Sequence, residues 1–286
     1  MSYRRNRRRL ARTNPPRLRN GLWIVPSLFT VGNIVCGYYS VIATLRAKHD
    51  QAAIAIGLGS VLDGLDGRVA RMMKSTSEFG VQLDSIADFG TFGLAPAMLA
   101  WSWGLSAISG GNDAITQHLR SLGWLATFAF VICGALRLAR FNIQTQKPGE
   151  SASKRYFVGL PIPMGALVIA SIVHFFHFFD EPPLNVGASL PWAFFFVVLL
   201  TAFLMISTVR YHSFKELDIM KRGVRVVLFA AAMLIGLIIF YSEIVLLVMA
   251  VVYGASGPAG KLMQMVRRLP PASATRREPA HGNIKT

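Results

Sequence analysis

Long apolar stretches separated by short polar ones run from Leu22 to about residue 262. Their length is the first structural signal, because a helix of about 20 apolar residues crosses the hydrocarbon core of a bilayer. Eight such stretches can be marked, at about 24–45, 52–72, 84–105, 122–141, 161–179, 191–209, 224–241 and 243–262. The pattern predicts an all-α, polytopic membrane protein of about eight transmembrane helices. The first stretch is too long for the apolar region of a signal peptide and reads as a retained helix. The last is interrupted by Gly254, Gly257, Pro258 and Gly260. No strand precedes these glycines, so they are not a dinucleotide fingerprint. They are expected to allow close helix packing. The chain divides into a basic arm at 1–21, a core at 22–210, two further helices at 211–263 and a Pro-, Arg- and Ala-rich tail at 264–286 that is expected to be disordered.

Composition agrees with this division. Of the 286 residues, 53% are hydrophobic and 15% are charged, and the mean hydropathy is +0.44. These values describe a multi-pass membrane protein rather than a soluble globule. The formal net charge is +16, and its distribution orients the chain. With the N-terminus in the cytoplasm, the arm, the turn at 71–80, the segments 137–158 and 210–225 and the C-terminal residues from Lys261 onward hold 26 of the 30 Lys and Arg residues. Basic residues favour the cytoplasmic side. The expected location is the cytoplasmic (inner) membrane. The arm is also drawn to anionic lipid, at about 1 kcal/mol per basic residue near the surface. The rest of the chain offers no base-reading module, so no nucleic-acid partner is expected. Cys36 and Cys133 lie in apolar runs and imply no disulfide.

Against this apolar background stands the stretch 63–88, DGLDGRVARMMKSTSEFGVQLDSIAD. Asp63, Asp66, Asp84 and Asp88 are four of only 14 acidic residues in the chain. A carboxylate inside a membrane costs a few kcal/mol, so four together call for a purpose. Spacings of three and four put each pair on one helix face. The polar RMMKSTSEF between them reads as a turn at the membrane surface. Two antiparallel helices would then bring the four carboxylates to one spot, where like charges cannot all ionise unaided. Hard divalent cations with oxygen ligands are the natural remedy. Two such ions would clamp a phosphate group. The plainer alternative is a buried acid network that only fixes helix packing.

The series Asp63-x2-Asp66-Gly67-x2-Ala70-Arg71-x8-Gly80-x3-Asp84-x3-Asp88 resembles the signature of the CDP-alcohol phosphotransferase family, with all eight positions filled. The later motifs RLARFN (137–142), FVGLPIP (157–163) and RYHSFKELD (210–218) resemble the phosphatidylserine synthase branch. The resemblance implies transfer of the phosphatidyl group from CDP-diacylglycerol to the hydroxyl of L-serine, with release of CMP. It implies a six-helix core extended by two helices, Mg²⁺ or Mn²⁺ at two ions per active site, and a homodimer. It assigns Asp63, Asp66 and Asp84 to metal. Asp88 becomes the general base and also a metal ligand. Gly67, Ala70, Arg71 and Gly80 border the nucleotide. Lys74, Ser75 and Thr76 are further candidates for donor contacts, as is Asn33 on the first helix.

Serine is a zwitterion, so its carboxylate needs a cation. Arg137, Arg140, Lys154, Arg155 and Lys215 are the cytoplasmic candidates, with Arg140 and Lys215 placed first. Arg suits the role because its planar fork matches a carboxylate. The plainer role for Arg137 and Arg140 is a snorkelling pair at a helix end. Gly159, Pro161 and Pro163 predict a non-helical re-entry lining a polar cavity. His174 and His177 have a spacing that a metal pair can use, but four Phe residues around them favour an interfacial belt. The rival readings are a related enzyme with a glycerol-phosphate or inositol-phosphate acceptor and a cation transporter using intramembrane aspartates.

Overall fold

The computed structural model describes residues 24–73, 78–108, 114–145, 156–177, 189–212, 232–233, 236–238 and 240–268. The predicted span at 224–241 falls mostly outside these residues, as do the N-terminal arm and the tail beyond Arg268. The described chain is helical apart from one short ladder. In order it forms α1 (Ile24–Leu45), α2 (His49–Met73), α3 (Glu78–Asp88), a π-helical turn (Phe89–Leu94), α4 (Ala95–Trp103) and a 3₁₀ turn (Leu105–Ile108). Then follow α5 (Ala114–Thr145), β1 (Tyr156–Val158), α6 (Ile162–His177), α7 (Ser189–Ile206), β2 (Arg210–His212) and α8 (Ser242–Arg268).

Four of the described helices are long and apolar enough to cross a membrane, over Leu28–Leu45, Ser121–Ile143, Ser189–Ile206 and Ser242–Lys261. Helix α6 is apolar but shorter. Helix α2 has the length, but it carries Asp50, Asp63, Asp66, Arg68 and Arg71. Large apolar side chains are exposed along the long helices, among them Leu28, Val35, Phe128, Phe203 and Val252. On a soluble protein such a surface would drive association. Around a membrane-spanning bundle it is the face that meets lipid. The protein is therefore a helical membrane protein.

The core is built from small residues and rings. Ala52, Ala53 and Ile56 of α2, Phe92 of the π turn, Leu99 of α4, Phe130 of α5, Ile162 and Ile169 of α6 and Val198 of α7 are all buried. Trp103 meets Phe194 edge-on, with ring centroids 4.9 Å apart. Helix α1 packs along α2, α2 also packs on α6, and α6 packs on α8. The C-terminal helix is thus docked on the core rather than apart from it.

Two polar devices secure this packing. At one end of the bundle, buried His174 of α6 faces Asp50 Oδ1 of α2 through Nδ1 at 2.5 Å. It also faces Ser242 Oγ of α8 through Nε2 at 2.9 Å. The expected interfacial belt is replaced here by an internal network joining three helices. A buried imidazole needs partners for both ring nitrogens, and the acid and hydroxyl supply them. His177 is exposed and stands 3.9 Å from the second oxygen of Asp50. At the other end, β1 and β2 pair antiparallel, with Phe157 opposite Tyr211. This ladder is the one departure from an all-α architecture among the described residues.

The non-helical re-entry is short. Gly159 has φ +83°, its N–H donates to Val209 O at 2.8 Å, and Leu160 N–H donates to Leu204 O at 3.0 Å. Helix α6 then starts at Ile162 and includes Pro163 in its first turn, where proline lacks no needed donor. A Cβ on Gly159 would lie 2.4 Å from the Met205 carbonyl oxygen. A Cβ on Gly165 would instead meet Met205 Cε, the far end of a flexible chain. We expect Gly159→Ala to cost about 2 kcal/mol or more, and Gly165→Ala less. Melting in detergent checks this: the larger fall in Tm belongs to Gly159→Ala, and an equal or smaller fall would contradict the assignment of that turn.

Candidate active site

The site begins with how α3 is seated. Its last residue, Asp88, leads directly into the π-helical turn Phe89–Leu94. Such turns bulge a helix and re-aim its side chains, often at functional positions. Thr91 in the turn donates through Oγ1 to the Asn33 carbonyl of α1 at 2.9 Å. There is room for it only because two helices present glycine. A Cβ on Gly37 of α1 would lie 2.4 Å from Thr91 Oγ1, and one on Gly59 of α2 would lie 2.8 Å from Thr91 Cγ2. The bulge is wedged between α1 and α2, and Asp88 points back toward α2 as a result.

The outcome is a carboxylate cluster. One oxygen each from Asp63, Asp84 and Asp88 lie within 4.8 Å of one another, and all three residues are half-buried. Asp66 is held separately: it is 6% exposed, and its Oδ2 accepts a hydrogen bond from Thr30 Oγ1 of α1. Asn33, 1% exposed, donates through Nδ2 to Asp88 Oδ1 at 3.4 Å. Arg137 of α5 is the cation whose charge acts on Asp88. Two buried polar atoms beside this cluster have no hydrogen-bond partner, the acceptor Asn33 Oδ1 and the donor Arg137 Nε. Buried polar atoms are nearly always paired; Asn33 Oδ1 is turned toward Gly59 of α2, where a Cβ would lie 3.0 Å from it.

The expected site residues divide clearly. Asp63, Asp84, Asp88, Asn33 and Arg137 come together at this cluster, with Asp66 beside it. Gly67 and Gly80 lie on the same two helices. Ala70 and Arg71 lie on the last turns of α2. Lys74, Ser75 and Thr76, together with Lys154, Arg155 and Lys215, fall outside the described residues. Arg140 is exposed, whereas Arg137 one turn earlier on α5 is half-buried and acts on Asp88 through its charge. Sequence reasoning did not single out Thr30, Gly37, Gly59 or Thr91. The small residues at 37 and 59 were the available signal, but their partner at 91 is revealed only by the bulge.

Comparison with known proteins bears on the same stretch. The profile of the CDP-alcohol phosphatidyltransferase family matches residues 23–188. The chain belongs to this family. A CDP-diacylglycerol–serine O-phosphatidyltransferase of Helicobacter pylori is 34% identical over 200 residues, covering 69% of this chain and 75% of the relative. Its counterpart in Bacillus subtilis is 36% identical over 152 residues, 52% of this chain and 76% of that protein. The one in Saccharomyces cerevisiae is 35% identical over 155 residues, 51% of each chain.

CDP-alcohol phosphatidyltransferases generally use divalent cations, and the donor set here fits one. Its ligating atoms are carboxylate oxygens, the preferred partners of hard divalent ions, at a mutual separation one ion can span. We expect Asp63→Asn, Asp84→Asn and Asp88→Asn each to weaken Mn²⁺ binding about tenfold or more, since affinity follows ligand charge. Ser85→Ala, whose hydroxyl instead bonds Val81 O and Asn142, should leave it near the wild-type value. Paramagnetic resonance of free Mn²⁺ during titration reads both. Unchanged binding in all three Asp variants would rule out the cluster as a cation site.

Proposed function

We propose that the protein is a phosphatidylserine synthase, which transfers the phosphatidyl group of CDP-diacylglycerol to the hydroxyl of L-serine and releases CMP. The observation that carries this reading is the convergence of Asp63, Asp84 and Asp88 within reach of the charge of half-buried Arg137, in a chain whose relatives are named CDP-diacylglycerol–serine O-phosphatidyltransferase. The carboxylates serve a diphosphate, and the arginine serves an acceptor that is itself a carboxylate. We further propose eight spans with the N-terminus in the cytoplasm, and an active site facing the cytoplasm of the inner membrane.

In this reading Asp63, Asp66, Asp84 and Asp88 hold two divalent ions, Mg²⁺ or Mn²⁺. When bound, such ions neutralise the diphosphate and stabilise charge developing on the departing CMP. The remaining work belongs to the chain. Gly67, Ala70, Arg71 and Gly80 border the nucleotide on α2 and α3. Asn33 holds one oxygen of Asp88, leaving the other to face the acceptor. That oxygen takes the proton as the serine hydroxyl oxygen forms its bond to the phosphatidyl phosphorus. The bond from phosphorus to CMP breaks, and CMP leaves with the electron pair. Arg137 anchors the serine carboxylate through a fork that lysine cannot reproduce.

The lipid needs no special chemistry for its acyl chains. A cavity of about 920 Å³ lies between α2, α6 and α8, lined by Ile54, Leu58, Val61, Leu167, Leu246 and Met249 among others. Its near end, at Ser60 and Val61, is within one turn of Asp63. A diacylglycerol tail in that cavity would leave its phosphates at the carboxylates.

The deciding experiment gives purified protein in detergent CDP-diacylglycerol, Mn²⁺ and one labelled acceptor at a time. Labelled lipid should form from serine. Labelled lipid from glycerol-3-phosphate or inositol phosphate, with none from serine, would overturn the acceptor assignment. Asp88→Asn should lower the serine-dependent release of CMP by about 100-fold or more without a change in melting. Full activity in that variant would remove Asp88 as base.

A further inference from the structure

The apolar cavity between α2, α6 and α8 has a defined length and a polar end. Its walls run from Ala53 to Val61 on α2, from Met164 to His174 on α6 and from Ser242 to Ser256 on α8. At about 1.5 Å of rise per residue, these stretches are roughly 12, 15 and 21 Å long. One end is formed by His174 and Ser242, which face each other at 2.9 Å. His174 is held there by Asp50, one turn before Ala53 on α2. The other end, at Ser60 and Val61, comes within one turn of Asp63. A lipid with its phosphates at the carboxylates therefore points its chain ends at the histidine.

The width of the cavity depends on a glycine. Gly57, in the middle of α2, lines it, and a Cβ there would meet nothing within 4 Å. Gly59, two residues on, is different, because a Cβ there would lie 2.8 Å from Thr91. Helix packing explains Gly59 and does not explain Gly57. Glycine inside a helix is less stable than alanine, and what the missing side chain leaves open here is cavity. The facing wall is pinned. Pro258 lies inside α8 and has no N–H to donate to the carbonyl four residues earlier. That carbonyl, Gly254 O, accepts instead from the hydroxyl of Tyr211 on β2 at 3.2 Å. The Tyr211 ring passes over Gly257, where a Cβ would lie 2.4 Å from it. These contacts fix α8 against the rest of the bundle and keep the cavity open.

We propose that the cavity selects the donor lipid by acyl-chain length, with Gly57 as the specificity-determining residue of its wall and the His174–Ser242 pair as its stop. The cavity measures about 920 Å³. At roughly 30 Å³ per methylene, about a water molecule's share of volume, it holds on the order of thirty methylenes, or two chains of about fifteen carbons. Shorter chains leave apolar wall uncovered and forfeit burial. Longer chains press on His174 and Ser242, and parting that pair would leave buried polar atoms unsatisfied.

This inference rests on CDP-diacylglycerol as the donor, and the experiment separates the two. Dipalmitoyl CDP-diacylglycerol with Mn²⁺, in the absence of serine, should raise the Tm of the wild-type protein; no rise would defeat the donor reading and this inference with it. CMP release with serine is then measured for dioctanoyl, dipalmitoyl and dierucoyl donors in micelles of one detergent. Wild type should prefer the dipalmitoyl donor several-fold in kcat/KM over both others. Gly57→Leu should cut the preference for dipalmitoyl over dioctanoyl about tenfold, with no fall in Tm, because leucine favours a helix where glycine does not. Leu246→Trp, which fills the cavity from α8, should shift the preference the same way and decides the matter if Gly57→Leu does not fold. A merely structural role would lower use of all donors alike and lower Tm. The donor-induced rise in Tm reads the same preference without an acceptor, so failure of the serine assignment leaves this test standing. An unchanged chain-length preference in folded Gly57→Leu, or equal use of dipalmitoyl and either other donor by wild type, would overturn the proposal.

Discussion

Carboxylates gathered in an apolar bundle repel one another, and most of this structure can be understood as the means of tolerating that repulsion. Two unit charges about 5 Å apart at an effective dielectric near 20 cost roughly 3 kcal/mol, and the cluster contains three such pairs among Asp63, Asp84 and Asp88. Helix packing alone supplies no reason to keep them. Divalent cations held by these oxygens would reverse the sign of the interaction, and a diphosphate would then meet the surplus positive charge. Asn33 and Arg137 supply the remaining compensation on the protein side, one by a hydrogen bond and one by charge.

Geometry follows from the same constraint. The carboxylates on α2 and α3 meet only if the end of α3 is held at a fixed angle. The π turn after Asp88, wedged against Gly37 and Gly59 by Thr91, provides that angle. At the far end of the bundle the Asp50–His174–Ser242 network keeps α2, α6 and α8 in register. This brings the apolar cavity to the edge of the charged site. The bundle is thus polar at two points and apolar between them, a division suited to a substrate with a charged headgroup and long hydrocarbon tails.

Much of this was legible in the sequence. Apolar runs at transmembrane length located most of the described helices, although the run at 84–105 is divided by the π turn. The spacing of the acids put Asp84 and Asp88 on one face, and the oxygens of both lie in the cluster with Asp63. Other features were hidden for physical reasons. A π turn has no distinct hydrophobic period, so the wedge at Thr91 was invisible. His174 looked interfacial because Phe residues surround it, while its partners lie 124 residues earlier and 68 residues later. Arg137 and Arg140 look equivalent in RLARFN, and only the rotation of α5 turns one toward Asp88 and leaves the other exposed. The breaks at Gly257 and Pro258 read as general packing signals, but their role is specific to the ring of Tyr211.

The most direct test of the central claim is anomalous scattering from crystals grown with Mn²⁺ and CDP-diacylglycerol. The account predicts manganese peaks within coordination distance of the carboxylates of Asp63, Asp84 and Asp88, bridged to the diphosphate. A bound nucleotide lipid with no manganese at those oxygens, or with the manganese held elsewhere, would contradict it.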